Sequence, residues 1–160
     1  MLKKLLNLLS RDLTGSTSTE KTVHPYFGEM LLFVSKDSDK SYWEAELDFE
    51  GEKVGVAIDA PDRAEPTQLQ VGFAKNILEH PDQAFAKAEA LLVHEYEKWH
   101  EAPFPGYWRS AFRLVGMTIP VEGDESEAWD LSYESLNDPH GHQFTCYFEG
   151  GEPSHTSVDG

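Results

Sequence analysis

The sequence predicts an α+β fold with a mostly antiparallel sheet, in the order strands, two helices, strands. Residues 42–49 alternate strictly between apolar and polar side chains, which is typical of a half-buried strand. Residues 69–99 instead repeat their apolar side chains at helical spacing, with a break at Pro81. Alternation returns in 129–134 and 144–149, so strands lie on both sides of a helical region.

The individual elements follow from the same two periods and from turn residues. The dipeptides Glu50-Gly51 and Gly150-Gly151 are typical of hairpin turns, and Pro103 and Pro105 end the helical region. The predicted helices occupy 69–80 and 81–102. The predicted strands are 26–34, 42–49, 54–58, 112–121, 128–136, 143–149 and 153–158.

The length and composition indicate one domain. The chain has 160 residues, 39% of them hydrophobic, and we assign 24–160 to a single α+β domain. No apolar run reaches the roughly 18–20 residues that a membrane helix needs, so we expect a cytoplasmic protein without a membrane span. The single cysteine, Cys146, excludes an internal disulfide and any zinc site built from several cysteines.

Residues 1–13 predict a short amphipathic helical arm. Five leucines fall on one helical stripe, namely Leu2, Leu5, Leu6, Leu9 and Leu13. A helix this short is marginal alone, so it must dock on its own domain, on a second copy or on a membrane surface. A homo-oligomer formed through 1–13 is therefore one expectation. Residues 14–23 are polar and predict a flexible linker.

The charge of the chain is strongly and unevenly negative. Thirteen Lys and Arg against 29 Asp and Glu give a net charge of −16, and the last 47 residues, after Arg113, contain ten acids and no Lys or Arg. This balance argues against direct nucleic-acid binding, where basic side chains supply most of the affinity. It favours fast association with a basic protein partner, although a merely solvated acidic surface is the alternative.

Two groups of side chains are candidates for partner binding. Glu44, Glu46 and Asp48 alternate with apolar residues, so burial of the apolar set predicts one acidic strand face. Tyr107 and Trp108 lie in an aromatic loop, and exposed rings of this kind anchor interfaces. Packing of the loop into the core is the alternative.

No catalytic or metal motif in the chain is complete. His94 and His100 are six residues apart, which does not match the spacing of a zinc-protease helix. His140 and His142 could share a strand face, but Asp138 to Gly141 has turn composition, so they are weak metal candidates only. We expect no cofactor and no catalytic residue. Paired carboxylates are numerous, so a metal- or carboxylate-dependent hydrolase stays open as an alternative.

Several short motifs resemble a loose group of small acidic bacterial proteins, some of which are toxin-immunity proteins. The matching segments are His24-Pro25-Tyr26-Phe27-Gly28, Trp43 in a W-x-A-x-L pattern, W-D-L-S-Y at 129–133, Gly141-His142 and the terminal Asp159-Gly160. The resemblance implies a non-catalytic, immunity-type inhibitor of a basic bacterial toxin or similar partner. It supplies no catalytic residues, and a purely structural or oligomeric module is the third hypothesis.

Overall fold

Eight strands and two α-helices make up the part of the chain that the computed structural model describes, residues 16–160. The strands are β1 (Ser16–His24), β2 (Gly28–Val34), β3 (Tyr42–Phe49), β4 (Glu52–Asp59), β5 (Phe112–Ile119), β6 (Trp129–Ser135), β7 (Gln143–Glu149) and β8 (Glu152–Asp159). The helices are α1 (Gln68–Glu79) and α2 (Pro81–His100), and three short 3₁₀ helices lie at Ser38–Lys40, Pro61–Arg63 and Trp108–Ser110.

The strands form one sheet in which each strand lies beside its neighbours in sequence. All neighbouring pairs are antiparallel except β4 and β5, which run parallel and pair Gly55–Ile58 with Gly116–Ile119. Both α-helices fall between β4 and β5, because a parallel connection needs a long crossover. The sheet is therefore two four-stranded meanders joined by one parallel pair.

The helices cover one face of this sheet and bury a large aromatic core against it. Helix α1 begins at a capping box in which Thr67 and Gln70 satisfy each other's backbone amides, and Pro81 occupies the first turn of α2. Phe85 of α2 lies 5.3 Å from Trp108 and 5.5 Å from Tyr133, measured between ring centroids. Side chains that alternate with this core set point to the opposite side of the sheet, here called the outer face.

Parts of the outer face are also buried. Phe33, Tyr42 and Ala57 form a small apolar cluster there, with Leu31 packed against it. Farther along the sheet the buried side chains are polar, and Ser132 and Thr145 lie 2.8 Å apart through their hydroxyl oxygens. Thr118 donates a hydrogen bond to Asp130 beside them. Buried polar groups of this kind need such partners.

The α+β class and the mostly antiparallel sheet are confirmed. The predicted order of strands, two helices and strands is incomplete, because it omits the 3₁₀ helices and the strand β1. The linker predicted at 14–23 is wrong from residue 16 onward, since Ser16–His24 form β1, which pairs with β2. The β-branched residues Thr22 and Val23 suit this pairing. The helix predicted at 1–13 lies outside the described residues.

No helix in the described range 16–160 combines the length and the apolar character that crossing a bilayer requires.

Candidate functional site

A cavity of about 710 Å³ opens where β2 and β3 separate. The two strands pair only through Leu31–Phe33 of β2 and Tyr42–Glu44 of β3, although β3 continues to Phe49. Beyond Glu44 the strands diverge, and side chains of β1, β2, β3, β4 and α1 line the space between them. Its volume lies within the range of roughly 300–1,000 Å³ typical of ligand sites.

The lining of the cavity is acidic on one side and apolar on the other. Four carboxylates and two lysines contribute to it, namely Glu29, Glu44, Glu46, Asp48, Lys21 and Lys53. The apolar lining includes Met30, Ala45 and Leu47 of the strands and Leu78 of α1. The division follows from strand alternation, because the carboxylates lie on the outer face and the apolar side chains face the helices.

Glu44 is the unusual member of this set, because it is buried without a partner. Its residue is only 5% exposed, and neither carboxylate oxygen has a hydrogen-bond partner. Its cross-strand neighbours on the outer face are Leu31 and Ala57, which offer no polar group. Burial raises the pKa of Glu44 to about 7, since loss of hydration disfavours the charged form.

The other two predicted carboxylates of β3 are placed differently. Glu46 and Asp48 share the outer face with Glu44 and are exposed, and Asp48 Oδ1 accepts from Lys53 Nζ at 2.7 Å. The hydrogen bond to Asp48 raises the pKa of Lys53. The acidic strand face is therefore present and Glu44 lies on it, but Glu44 is buried there instead of exposed. Its apolar neighbours on β2 and β4 cover it.

The two predicted aromatic anchors separate in the structure. Tyr107 is 55% exposed, whereas Trp108 is 7% exposed and stacks on Phe85. The Trp108 indole donates to Asp82 Oδ1 at 2.8 Å, and the guanidinium of Arg109 lies over its ring. Trp108 therefore belongs to the core, as the alternative hypothesis held, and only Tyr107 offers an exposed ring. Neither residue lines the cavity.

The weak metal candidates lie in a small polar cluster around Asp138. His142 Nδ1 lies 2.6 Å from Asp138 Oδ2, and the Trp99 indole donates to the same oxygen at 3.2 Å. His140 is exposed, and its ring centroid is 6.0 Å from that of His142. Across residues 16–160, no three or more His, Cys, Asp or Glu side chains are grouped to hold a metal ion.

Cys146 is buried on β7, and burial raises the pKa of its thiol to about 12. A thiol with such a pKa stays protonated at neutral pH and is a poor nucleophile.

Three charged residues of the cavity are absent from the predicted site. Lys21 fell in the presumed linker, while Glu29 and Lys53 were not connected with the acidic face of β3. The alternation of Glu29 with Met30 and of Lys53 with Val54 marks both as outward-facing, so a strand signal was present. Their proximity to Glu44 depends on which strands pair, and alternation within one strand does not indicate its partner.

No protein-family model, curated protein or solved structure matches the chain.

Proposed function

We propose that the chain is a non-catalytic module that binds a basic protein partner in the cytoplasm, as an immunity-type inhibitor binds a basic toxin. The observation that carries the proposal is the Glu44 carboxylate, which is buried without a partner among acidic side chains that line an open cavity. A cation from a partner would supply the missing interaction.

The energetics of Glu44 support a cationic ligand. A buried carboxylate without a partner is costly in its charged form, which is why its pKa rises. A lysine or arginine side chain inserted into the cavity would form a charge-assisted hydrogen bond with it and would favour the charged form. Contacts of this kind, made in a water-excluded position, chiefly slow dissociation of a complex.

The exposed carboxylates of the cavity support a role in association. Glu29 and Glu46 lie at its mouth on the outer face, and the chain as a whole carries a net charge of −16. Exposed charges attract an oppositely charged partner over about one Debye length, which is ~8 Å at physiological salt. They therefore change mainly the association rate and its dependence on salt.

Two variants of equal net charge test this proposal. Glu29→Lys with Glu46→Lys changes the mouth of the cavity, and Glu89→Lys with Glu149→Lys changes exposed positions outside its lining. Each pair moves the net charge from −16 to −12, because each substitution adds two charges. Asp48 is left in place because of its ion pair with Lys53.

The measurement is the association rate of an arginine-rich peptide at low and high salt, with a glutamine peptide of equal length as the neutral control. We expect the pair at Glu29 and Glu46 to slow association by about tenfold at low salt and the matched pair to change it less than twofold. Equal effects of both pairs would show that only total charge matters and would contradict a binding site in the cavity.

A carboxylate-dependent hydrolase is the second candidate, and the raised pKa of Glu44 favours it. A carboxyl group that is protonated near pH 7 is suited to general acid catalysis, and further carboxylates lie in the same cavity. Hydrolysis of aryl glycosides or aryl esters that is lost in Glu44→Gln and kept in Glu89→Gln would favour this candidate over the binding module. A purely oligomeric role through 1–13 concerns residues outside those described.

A further inference from the structure

The edge of β3 that faces β2 is unpaired over half of the strand. Strand pairing with β2 ends at Glu44, and no strand within residues 16–160 pairs with this edge from Ala45 to Phe49. The opposite edge of β3 pairs with β4 along its full length, from Tyr42 to Phe49. In an antiparallel strand every second residue directs its N–H and C=O to the free edge, so backbone donors and acceptors are available there.

The cavity runs along this free edge. It is lined by consecutive residues of both strands, Gly28–Leu31 of β2 and Glu44–Asp48 of β3. Consecutive residues of a strand point to opposite faces, so a cavity on one face would be lined by alternate residues only. Lining by consecutive residues places the cavity between the two strand edges.

The two sides of the cavity differ in a way that suits an extended chain. Glu29, Glu44 and Glu46 are on the outer side, and Leu47 with Leu78 of α1 are on the helix side. An extended segment lying between β2 and β3 would direct alternate side chains to these two sides. Basic side chains would then meet the carboxylates as cross-strand neighbours, and apolar side chains would meet the leucines.

We propose that the cavity takes an extended segment of the basic partner as an additional strand on the free edge of β3. This proposal rests on the proposed function and adds the chemistry of the ligand, a segment that alternates basic and apolar residues. Backbone hydrogen bonds to β3 hold the segment, and the alternation selects it. Glu44, at which the pairing of β2 and β3 ends, receives one basic side chain of the segment.

Four peptides of equal charge test the strand addition. The probe alternates valine and arginine over six residues, and a block peptide has three valines followed by three arginines. The other two are the alternating peptide with every second backbone nitrogen methylated, one for each register. Because all carry the same charge, differences in affinity among them measure the contributions of backbone hydrogen bonds and of the alternation of side chains. Amide hydrogen exchange of the full chain is measured with and without each peptide.

We expect the alternating peptide to bind at least about tenfold more tightly than the block peptide, and at least one methylated register to lose that advantage. Alternate amides within Ala45–Phe49 should exchange more slowly in the complex. Equal affinities, or no slowing at these amides, would overturn the strand addition. If arginine peptides of any pattern bind equally and the Glu29 and Glu46 variant weakens them, the proposed function stands and only this inference fails. Slow exchange at these amides in the free chain, together with a dimer by sedimentation, would assign the edge to a second copy and overturn it as well.

Discussion

At the scale of single residues, Glu44 connects stability with pH. Its folded pKa of about 7 exceeds the ordinary value of 4.5, so the folded state holds a proton that the unfolded state releases between these two pH values. The stability contributed by this group is complete below about pH 4.5 and is lost as pH rises to about 7. The full difference corresponds to on the order of 3 kcal/mol.

Glu44→Gln removes this titration while keeping the size of the side chain. We expect the variant to match the wild type at pH 4, below both pKa values, and to exceed its free energy of unfolding at pH 8 by on the order of 3 kcal/mol. Urea unfolding at several pH values measures the difference, with the exposed Glu46→Gln as the control. A variant with the same pH dependence as the wild type would show that Glu44 titrates normally.

The neighbours Tyr107 and Trp108 should respond very differently to truncation. Trp108 is buried against Phe85 and hydrogen-bonded to Asp82, so Trp108→Ala should lower the free energy of unfolding by about 3–5 kcal/mol. Tyr107 is largely exposed, so Tyr107→Ala should change it by less than about 0.5 kcal/mol. Chemical denaturation of the two variants measures both changes in the free energy of unfolding. Similar losses from both would mean that the loop packs as one unit.

At the scale of elements, Gln70 ties α1 to the two strands that the helices connect. Its side-chain oxygen accepts from the Thr67 amide at 3.0 Å, and its nitrogen donates to the carbonyl oxygens of Asp59 at 2.8 Å and Pro120 at 3.1 Å. Asp59 ends β4 and Pro120 follows β5, so one buried side chain satisfies groups from three elements. Losing it would leave buried carbonyls unpaired.

Gln70→Ala is therefore expected to cost about 2–4 kcal/mol of unfolding free energy, and Gln70→Glu more, because it keeps the acceptor and buries a charge without the donor. Gln68→Ala, at the exposed start of the same helix, is the matched control. Thermal and urea unfolding measure all three. An unchanged Gln70→Ala variant would mean that water replaces the amide at no cost.

The elements also show what local sequence can and cannot predict. Alternation in 42–49 correctly predicts which side chains of β3 share a face, since the period of two is a property of the strand itself. The burial of Glu44 is not predictable in the same way, because it depends on Leu31 and Ala57 arriving beside it from two other strands. The cavity likewise depends on the residue at which β2 and β3 stop pairing. β1 was not predicted, because its serines and threonines are also typical of a linker and the sequence does not show that β2 pairs with them.

At the scale of the whole molecule, the net charge of −16 opposes the compact state through repulsion among carboxylates. Salt screens this repulsion, so the melting temperature at pH 8 should rise by a few degrees, about 3–6 °C, between low salt and 0.5 M sodium chloride. Near the isoelectric point of about 4.6 the net charge vanishes, and the same salt step should have little effect. Differential scanning calorimetry at both pH values tests this. A melting temperature that falls with salt at pH 8 would show that attractive ion pairs dominate.

The single parallel pair in the sheet has a consequence for how the chain folds. Every other strand pair is antiparallel with a short connection and can close as a local hairpin, whereas β4 and β5 are separated along the chain by both helices and must close a long connection. The two meanders should therefore form early, and the β4–β5 pairing that joins them should form late. Ile119→Val, in the β4–β5 pairing, should speed unfolding and leave the folding rate unchanged. Val54→Ala, in the β3–β4 hairpin, should slow folding. Stopped-flow kinetics of these two variants measure the order in which the strand pairings form. A slowed folding rate in Ile119→Val would show that the β4–β5 pairing forms early.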